Sequence, residues 1–272
     1  MNPTPDSPRT RRAALFLGAA ALLSACSAEE KGRSGDRNPP GPGTGAAADR
    51  NPPGPGTGAA APDSPPSPAA AAARRPAEIP GLGPRTGATI GSRTRQALVV
   101  TGESADSNVC RAVLYERHPT LGWRPASDVW PARNGHRGWS GHHLQGDLRS
   151  PVGTFTLSDA GGRLADPGTE LPYHRDPIYT LGGRNFEGEP KAGAFDYVVA
   201  VDYNRYPGRT PSDWGRPLGT RRGGGIWVHI GHGGGTEGCI GLPRDRMKEL
   251  LRALRRAARP VIVMGPADAL AR

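Results

Sequence analysis

A perfect tandem repeat, DRNPPGPGTGAAA at residues 36–48 and again at 49–61, most constrains what this chain can fold into. From residue 27 to about 76 there is almost no large apolar side chain, and closely spaced prolines remove the backbone donors that a helix or sheet needs. Such a stretch cannot bury a core. It is expected to be a disordered Pro/Gly/Ala tether over residues 27–78, and two copies without an apolar face do not stack as a repeat array. A tether of about 50 residues reaches about 40 Å as a coil and about 155 Å as a polyproline helix. The folding information must then lie in the remainder, in one domain expected over residues 79–266.

The residues ahead of the tether point to export. Arg9, Arg11 and Arg12 precede an apolar run at 13–23 that closes on Leu23-Ser24-Ala25-Cys26. The run is too short for a bilayer span of about 20 residues, and its small residues before Cys26 are similar to bacterial lipoprotein signals. Residues 1–26 are thus expected to be a signal peptide, with Cys26 lipidated after cleavage. The Thr10-Arg11-Arg12 triplet leaves general secretion and twin-arginine export both open. A protein so anchored would sit at the outer face of the cytoplasmic membrane and reach into the cell wall. The 35 Lys+Arg against 25 Asp+Glu, a net charge of +10, suits an anionic wall or membrane face. Without interleaved aromatic and basic residues, nucleic acid is not an expected partner.

Short strands with turn signals between them dominate the rest. Strands are expected at 95–101, 109–117, 154–157, 197–202, 225–230 and 260–264, with long glycine-rich loops at 161–168 and 206–225. In VCRAVLYER (109–117) Cys110, Ala112 and Leu114 share one side, so Cys110 reads as a packed core thiol. One helix is expected from Pro243, with Met247, Leu250, Leu251 and Leu254 at helical spacing and Arg252, Arg255, Arg256 and Arg259 late in it.

The chemistry is concentrated in WVHIGHGGGTEGCIGLP (227–243). A free thiol titrates near about 8.5, so a nucleophilic cysteine needs a base, here His229 or His232, to take its proton. The glycines can bring several N–H groups to one point, where the oxyanion of acyl transfer would sit. Two other readings stay open: Cys239 as a small buried hydrophobe, and His229, His232 and Cys239 as three zinc ligands. The Gly-Gly-Gly-Thr-Glu-Gly context is a poor one for core packing. The two histidines lie three apart in a segment that cannot be helical, and no metal or other cofactor is expected.

Thr236 to Cys239 (TEGC), His229 ten residues upstream and Ile240 together resemble the catalytic motif of the L,D-transpeptidases with a YkuD-like domain. The segment GDLRSPVGTFTL (146–157) is similar to that family's GDG-x-TPxGxF signature, and LPYHRDP (171–177) and VDYN (201–204) follow in order. The resemblance spans residues 95–265 and implies a mostly β domain of two packed sheets with one C-terminal helix. It implies a cysteine acyltransferase acting on peptidoglycan stem peptides. Cys239 would be the nucleophile, His229 its base, Thr236 the family's Ser/Thr three before the cysteine, Gly238 and Cys239 the oxyanion amides, and His232 an auxiliary. The chain departs from the pattern at Gly241, where many members carry Arg, so a guanidinium that holds a ligand carboxylate must come from elsewhere or be absent. An L,D-carboxypeptidase, a wall-binding lipoprotein without activity and a papain-like endopeptidase are the rivals; the last usually places Cys before His in the chain. A monomer is expected.

Cys26→Ser is expected to move the protein from the membrane fraction to the soluble fraction of its host, read by fractionation and mass spectrometry of the N-terminal peptide; retention on the membrane would refute the lipid anchor.

Overall fold

The computed structural model describes residues 77–272; the expected signal segment, Cys26 and the tandem repeat lie outside the described residues. Thirteen strands occur among these residues: β1 (Gln96–Gly102), β2 (Val109–His118), β3 (Gly122–Pro125), β4 (Trp130–Arg133), β5 (Trp139–Ser140), β6 (Ser150–Pro151), β7 (Gly153–Thr156), β8 (Ala160–Gly162), β9 (Tyr173–Arg175), β10 (Val198–Ala200), β11 (Trp227–Ile230), β12 (Ile240–Leu242) and β13 (Val261–Pro266). Three helices accompany them: α1 (Pro84–Ala88), α2 (Arg244–Ala253) and α3 (Ala267–Leu270). The protein is mostly β, and α2 is the longest helix described.

Eleven strands hydrogen-bond into one sheet in the order β7-β13-β1-β2-β4-β12-β11-β10-β8-β9, with β3 on β2, while β5 and β6 form a small parallel ribbon. By hydrogen bonding, the two expected layers are halves of one curled path. Leu98, Ala112 and Trp130 from β1, β2 and β4 share an apolar cluster with Val199, Val228 and Leu242 from β10, β11 and β12. α2 closes this cluster with Met247, Leu250 and Leu251, and Leu254 just past its end is also fully buried. Each such side chain contributes about 1.5–3 kcal/mol of burial, which is why a helical stripe survives in a chain otherwise built for strands.

The parallel pair β1 and β13 lies between two apolar clusters. Their runs Ala97-Leu98-Val99-Val100 and Val261-Ile262-Val263-Met264 lack polar alternation because both faces are covered. Leu98, Val100, Ile262 and Met264 face the large cluster, whereas Ala97, Val99, Val261 and Val263 face a second one with Ile79, Ile90, Trp123 and Leu270. Packing thus reaches past 79–266 at both ends, since Ala77 N–H bonds the Leu121 carbonyl at 2.9 Å and Leu270 of α3 is buried.

All six expected strands are present, with edges displaced by at most two residues, whereas the short strands β3, β4, β5, β6, β8, β9 and β12 were not expected. Helix α2 begins one residue later than expected, with Pro243 as its cap, and ends before Arg255, Arg256 and Arg259. The reason is Leu254, whose extended backbone turns the chain into a 3-10 turn and on into β13. The VDYN segment shows why it sits in the middle of the chain. Asp202 joins Arg205 and Asp159 in a buried ion cluster, and Asn204 holds the Gly219 and Gly223 carbonyls and the Leu218 amide. These bonds pin both ends of the long loop between β10 and β11.

Cys110 packs at 5% exposure in the large cluster, and burial pushes its thiol up to about 12. Cys110→Ala is expected to cost about 1 kcal/mol in urea unfolding, and the folded parent's Cys110 to resist iodoacetamide at neutral pH; rapid labelling would place it outside the core.

Candidate active site

β11 and β12 are adjacent and parallel, with Val228 opposite Ile240 and His229 opposite Gly241. Continuing the register puts Cys239 across from Trp227, so His229 and Cys239 are diagonal neighbours on one face of the sheet. Such neighbours lie about 7–8 Å apart along the backbone, a gap that an imidazole and a thiol can close between them. Both residues line one cavity of about 830 Å³, together with His143, Arg216, His232 and Thr236.

The sulfur is held from the backbone. Trp227 N–H donates to Cys239 Sγ at 3.4 Å, and the thiol donates to the Gly225 carbonyl at 3.6 Å. Although Cys239 is only half-buried, the surrounding protein removes water and pushes its thiol up to about 12; the Trp227 amide opposes this and Glu237 adds to it. His229 is 2% exposed, and its Nδ1 lies 2.8 Å from the Ile230 carbonyl. That bond selects the tautomer with the proton on Nδ1 and leaves Nε2 as an acceptor. Burial lowers the imidazole to about 4, with the Ile230 carbonyl opposing and His232 assisting. At neutral pH the resting pair is therefore thiol and neutral imidazole.

Thr236 shapes the turn that carries the thiol. Its Oγ1 donates to the Cys239 carbonyl at 2.7 Å and accepts the Gly238 N–H at 3.1 Å, while its own backbone is clamped between Asn134 and His136. Gly238 has φ +138, and a Cβ there would meet the Arg149 carbonyl at 3.1 Å and the Ile226 Cδ1 at 3.2 Å, so only glycine suits the position. This geometry alters one expectation. The Gly238 amide is spent on Thr236, which leaves Cys239 N–H as the one of the two expected oxyanion donors that no side chain claims. The glycine run does not gather amides at the thiol either, since Gly235 N–H donates to Glu187 Oε1 at 3.3 Å and the run packs under the Glu187 and Glu189 carboxylates. The carboxylates of a neighbouring loop outcompete the site for these donors.

His232 stacks on His229 with ring centroids 5.7 Å apart, and its carbonyl accepts from Asn185 Nδ2 at 2.6 Å. It faces the same cavity from the loop, with its pKa lowered by burial. Gly241 does not line the cavity; a Cβ there would meet Gly231 Cα at 3.1 Å, so a guanidinium could enter at this position only if that loop moved. Among the described residues no group of three or more His, Cys, Asp or Glu is arranged to hold a metal ion, and no helix is long and apolar enough to cross a membrane.

Three participants escaped the sequence reading. Ser150 is fully buried; its Oγ accepts from Gly135 N–H and donates to the Gly238 carbonyl at 2.7 Å, so the SP of the LRSPVG segment braces the turn that carries Cys239. His143, 4% exposed, lies 2.8 Å from Asp147 Oδ1, and its Cε1 is 3.6 Å from where a Cβ on Gly238 would sit. Its only sequence signal was its place three residues before Gly146. The third is the Ile230 carbonyl, which no side-chain pattern could reveal.

The YkuD family, described as the L,D-transpeptidase catalytic domain, matches residues 91–263. The chain belongs to that family. Similar solved structures include the helical cell shape determining protein Pgp2 from Campylobacter jejuni, at 16% identity over 62% of this chain and 46% of that one, with a TM-score of 0.33. Another is L,D-transpeptidase 1 of Mycobacterium tuberculosis, at 14% identity over 62% of this chain and 61% of that one, with a TM-score of 0.30. This L,D-transpeptidase-family chain thus spans about half the length of the first of these and under two thirds of the second. No curated protein matches it.

The depressed His229 titration has a stability consequence. The unfolded chain takes up this proton near pH 6.5 and the folded one only near 4, so stability is full above 6.5 and declines as pH falls through the window between them. The loss from this group is about 2–3 kcal/mol at about pH 4.5. His229→Gln should flatten that part of the slope in urea titrations at the two pH values; an unchanged slope would mean that the imidazole is solvated.

Proposed function

We propose that this protein is a cysteine L,D-transpeptidase that acts on peptidoglycan stem peptides, held at the outer face of the cytoplasmic membrane by lipid on Cys26. The observation that carries the chemistry is the pairing of β11 with β12, which turns a thiol and an anchored imidazole toward one cavity. A cavity of about 830 Å³ falls within the usual range for small-ligand sites, about 300–1,000 Å³, and suits a short peptide in extended form.

In this reading His229 Nε2 takes the Cys239 proton as the sulfur attacks the carbonyl at the L-centre of the third stem residue. Because thiol and imidazole both start neutral, proton transfer and attack are coupled, and no stable thiolate precedes substrate. The Ile230 carbonyl, already bonded to Nδ1–H, stabilises the imidazolium that forms. Cys239 N–H is the candidate donor to the oxyanion. Collapse breaks the carbon–nitrogen bond, the imidazolium gives its proton to the leaving amine, and D-alanine departs, leaving a thioester on Cys239. The amine of a second stem then loses a proton to His229 and attacks the thioester. The carbon–sulfur bond breaks and the thiol is restored, with the cross-link joining two third-position residues. Thr236, Ser150 and Gly238 position the nucleophile turn without touching substrate, and His232 supports the His229 ring by stacking.

Hydrolysis would share the first half of this path and differ only in using water as acceptor. Incubation of the full chain with stem tetrapeptide, followed by mass spectrometry, is expected to show a thioester adduct on Cys239 and cross-linked dimers; tripeptide without dimer would establish the carboxypeptidase. Cys239→Ala should lose the adduct entirely and keep the fold, and His229→Ala should slow its formation by about 100-fold or more. Turnover by Cys239→Ala would refute the mechanism.

A further inference from the structure

The long loop between β10 and β11 carries Arg216 to the cavity that holds Cys239. Its guanidinium lies against Gly224 and Gly225. A Cβ on Gly224 would fall 2.3 Å from Arg216 Nε and 2.7 Å from its Cζ, so this glycine is what lets the side chain lie flat against the backbone. Nη2 is 3.5 Å from the position of a Cβ on Gly225, and Gly225 is the residue whose carbonyl receives the Cys239 thiol. Those short links put Nη2 no more than about 10 Å from the sulfur.

The guanidinium is only partly satisfied by the protein. Nη1 donates to the Asp213 carbonyl at 3.2 Å and the Gly215 carbonyl at 2.9 Å, and no carboxylate among the described residues lies within ion-pair distance of Arg216. The Asp213 carboxylate is engaged elsewhere, with the Gly215 amide and with Arg209 at 3.5 Å. The Trp214 ring, 82% exposed at the cavity rim, lies 5.5 Å from Arg216 Cζ and braces the group by cation–π attraction. The other cations lining the cavity differ from it: Lys191 is paired with Glu237 at 3.4 Å, and Arg184 is exposed on the far loop and bonded to the Gly188 carbonyl. Burial lowers the Arg216 pKa from its ordinary value, with the Asp213 charge opposing; a partly desolvated cation that no carboxylate contacts directly favours an anionic ligand.

We propose that Arg216 forms a carboxylate-binding subsite that holds the free C-terminal carboxylate of the donor peptide's leaving residue. This rests on the transpeptidase reading of Cys239 and supplies the guanidinium that Gly241 does not provide. In a donor the leaving residue's carboxylate is three bonds from the scissile carbonyl carbon, a span that fits the room between sulfur and Nη2. Nε and Nη2 have no protein acceptor, so they can meet a carboxylate with two parallel N–H bonds. The subsite would select stems that end one residue beyond the scissile bond, because a longer stem carries a neutral amide where the carboxylate should be.

The test separates binding from chemistry. Full-length protein bearing Cys239→Ala is titrated calorimetrically with a synthetic stem tetrapeptide as its C-terminal acid and as its C-terminal amide. The acid is expected to bind about 10-fold or more tightly. Arg216→Gln should bring the acid down to the affinity of the amide and leave the amide unchanged, Arg216→Lys should keep part of the preference, and Arg184→Gln should keep all of it. Equal affinity for acid and amide in the parent overturns the proposal, and so does a preference that survives Arg216→Gln. If Arg216→Gln does not fold, the acid-to-amide ratio of the parent and of Arg216→Lys decides in the same way. A missing thioester on Cys239 in the native sequence would sink the transpeptidase reading while leaving this titration to stand or fall by itself.

Discussion

The site depends on two adjacent parallel strands being joined by a very short connection. β11 ends at Ile230 and β12 starts at Ile240, and the chain between them must reverse along the length of β12 before pairing in parallel. Parallel neighbours usually need a crossover of a dozen or more residues. Here the strands are four and three residues long, so nine residues suffice, and small residues let them fold tightly. The thiol and the imidazole share a face only because that register holds. A slip of one residue would send Cys239 to the opposite face of the sheet.

Much of the surrounding structure protects that register. Ser150 ties the turn to the β5–β6 ribbon, Thr236 closes it on itself, and the Asn134–His136 backbone clamps it from β4. β12 is in turn held between β11 and β4, in the interior of the sheet. The large apolar cluster beneath, closed by α2, makes local opening of the Cys239 turn costly, because the buried strands would have to move with it. Stability and chemistry draw on the same contacts.

Burial also sets the chemical state of the pair. The same desolvation raises the Cys239 thiol and lowers the His229 imidazole, so each favours its neutral form. A thiol kept protonated in this way is a poor target for adventitious alkylation. In the proposed mechanism reactivity waits for a bound carbonyl and an oxyanion donor, which places the selectivity in the cavity and its loops. Arg216 on the glycine run belongs to that outer layer, as do the exposed Trp214 and Phe186 rings at the rim.

The sequence alone determined the mostly β class, the positions of the main strands, the α2 stripe and the family, because alternation, glycine punctuation and four collinear motifs are local signals. It also separated the two cysteines, since the alternation around Cys110 marked a core thiol and the glycines before Cys239 did not. What it could not determine was which amide and carbonyl groups are already spent. The Gly235 and Gly238 donors looked free in the sequence and are occupied by Glu187 and Thr236, one 48 residues away and one two away. Nor could it place Arg216 or His143 at the cavity that holds the thiol, because both arrive on loops whose path is set by bonds from Asn204 and Tyr203. Short β11 and β12 segments gave too few residues for their parallel pairing to be read from a pattern. Only the tertiary structure, through competition for hydrogen bonds and through register across distant strands, decided how the site is assembled.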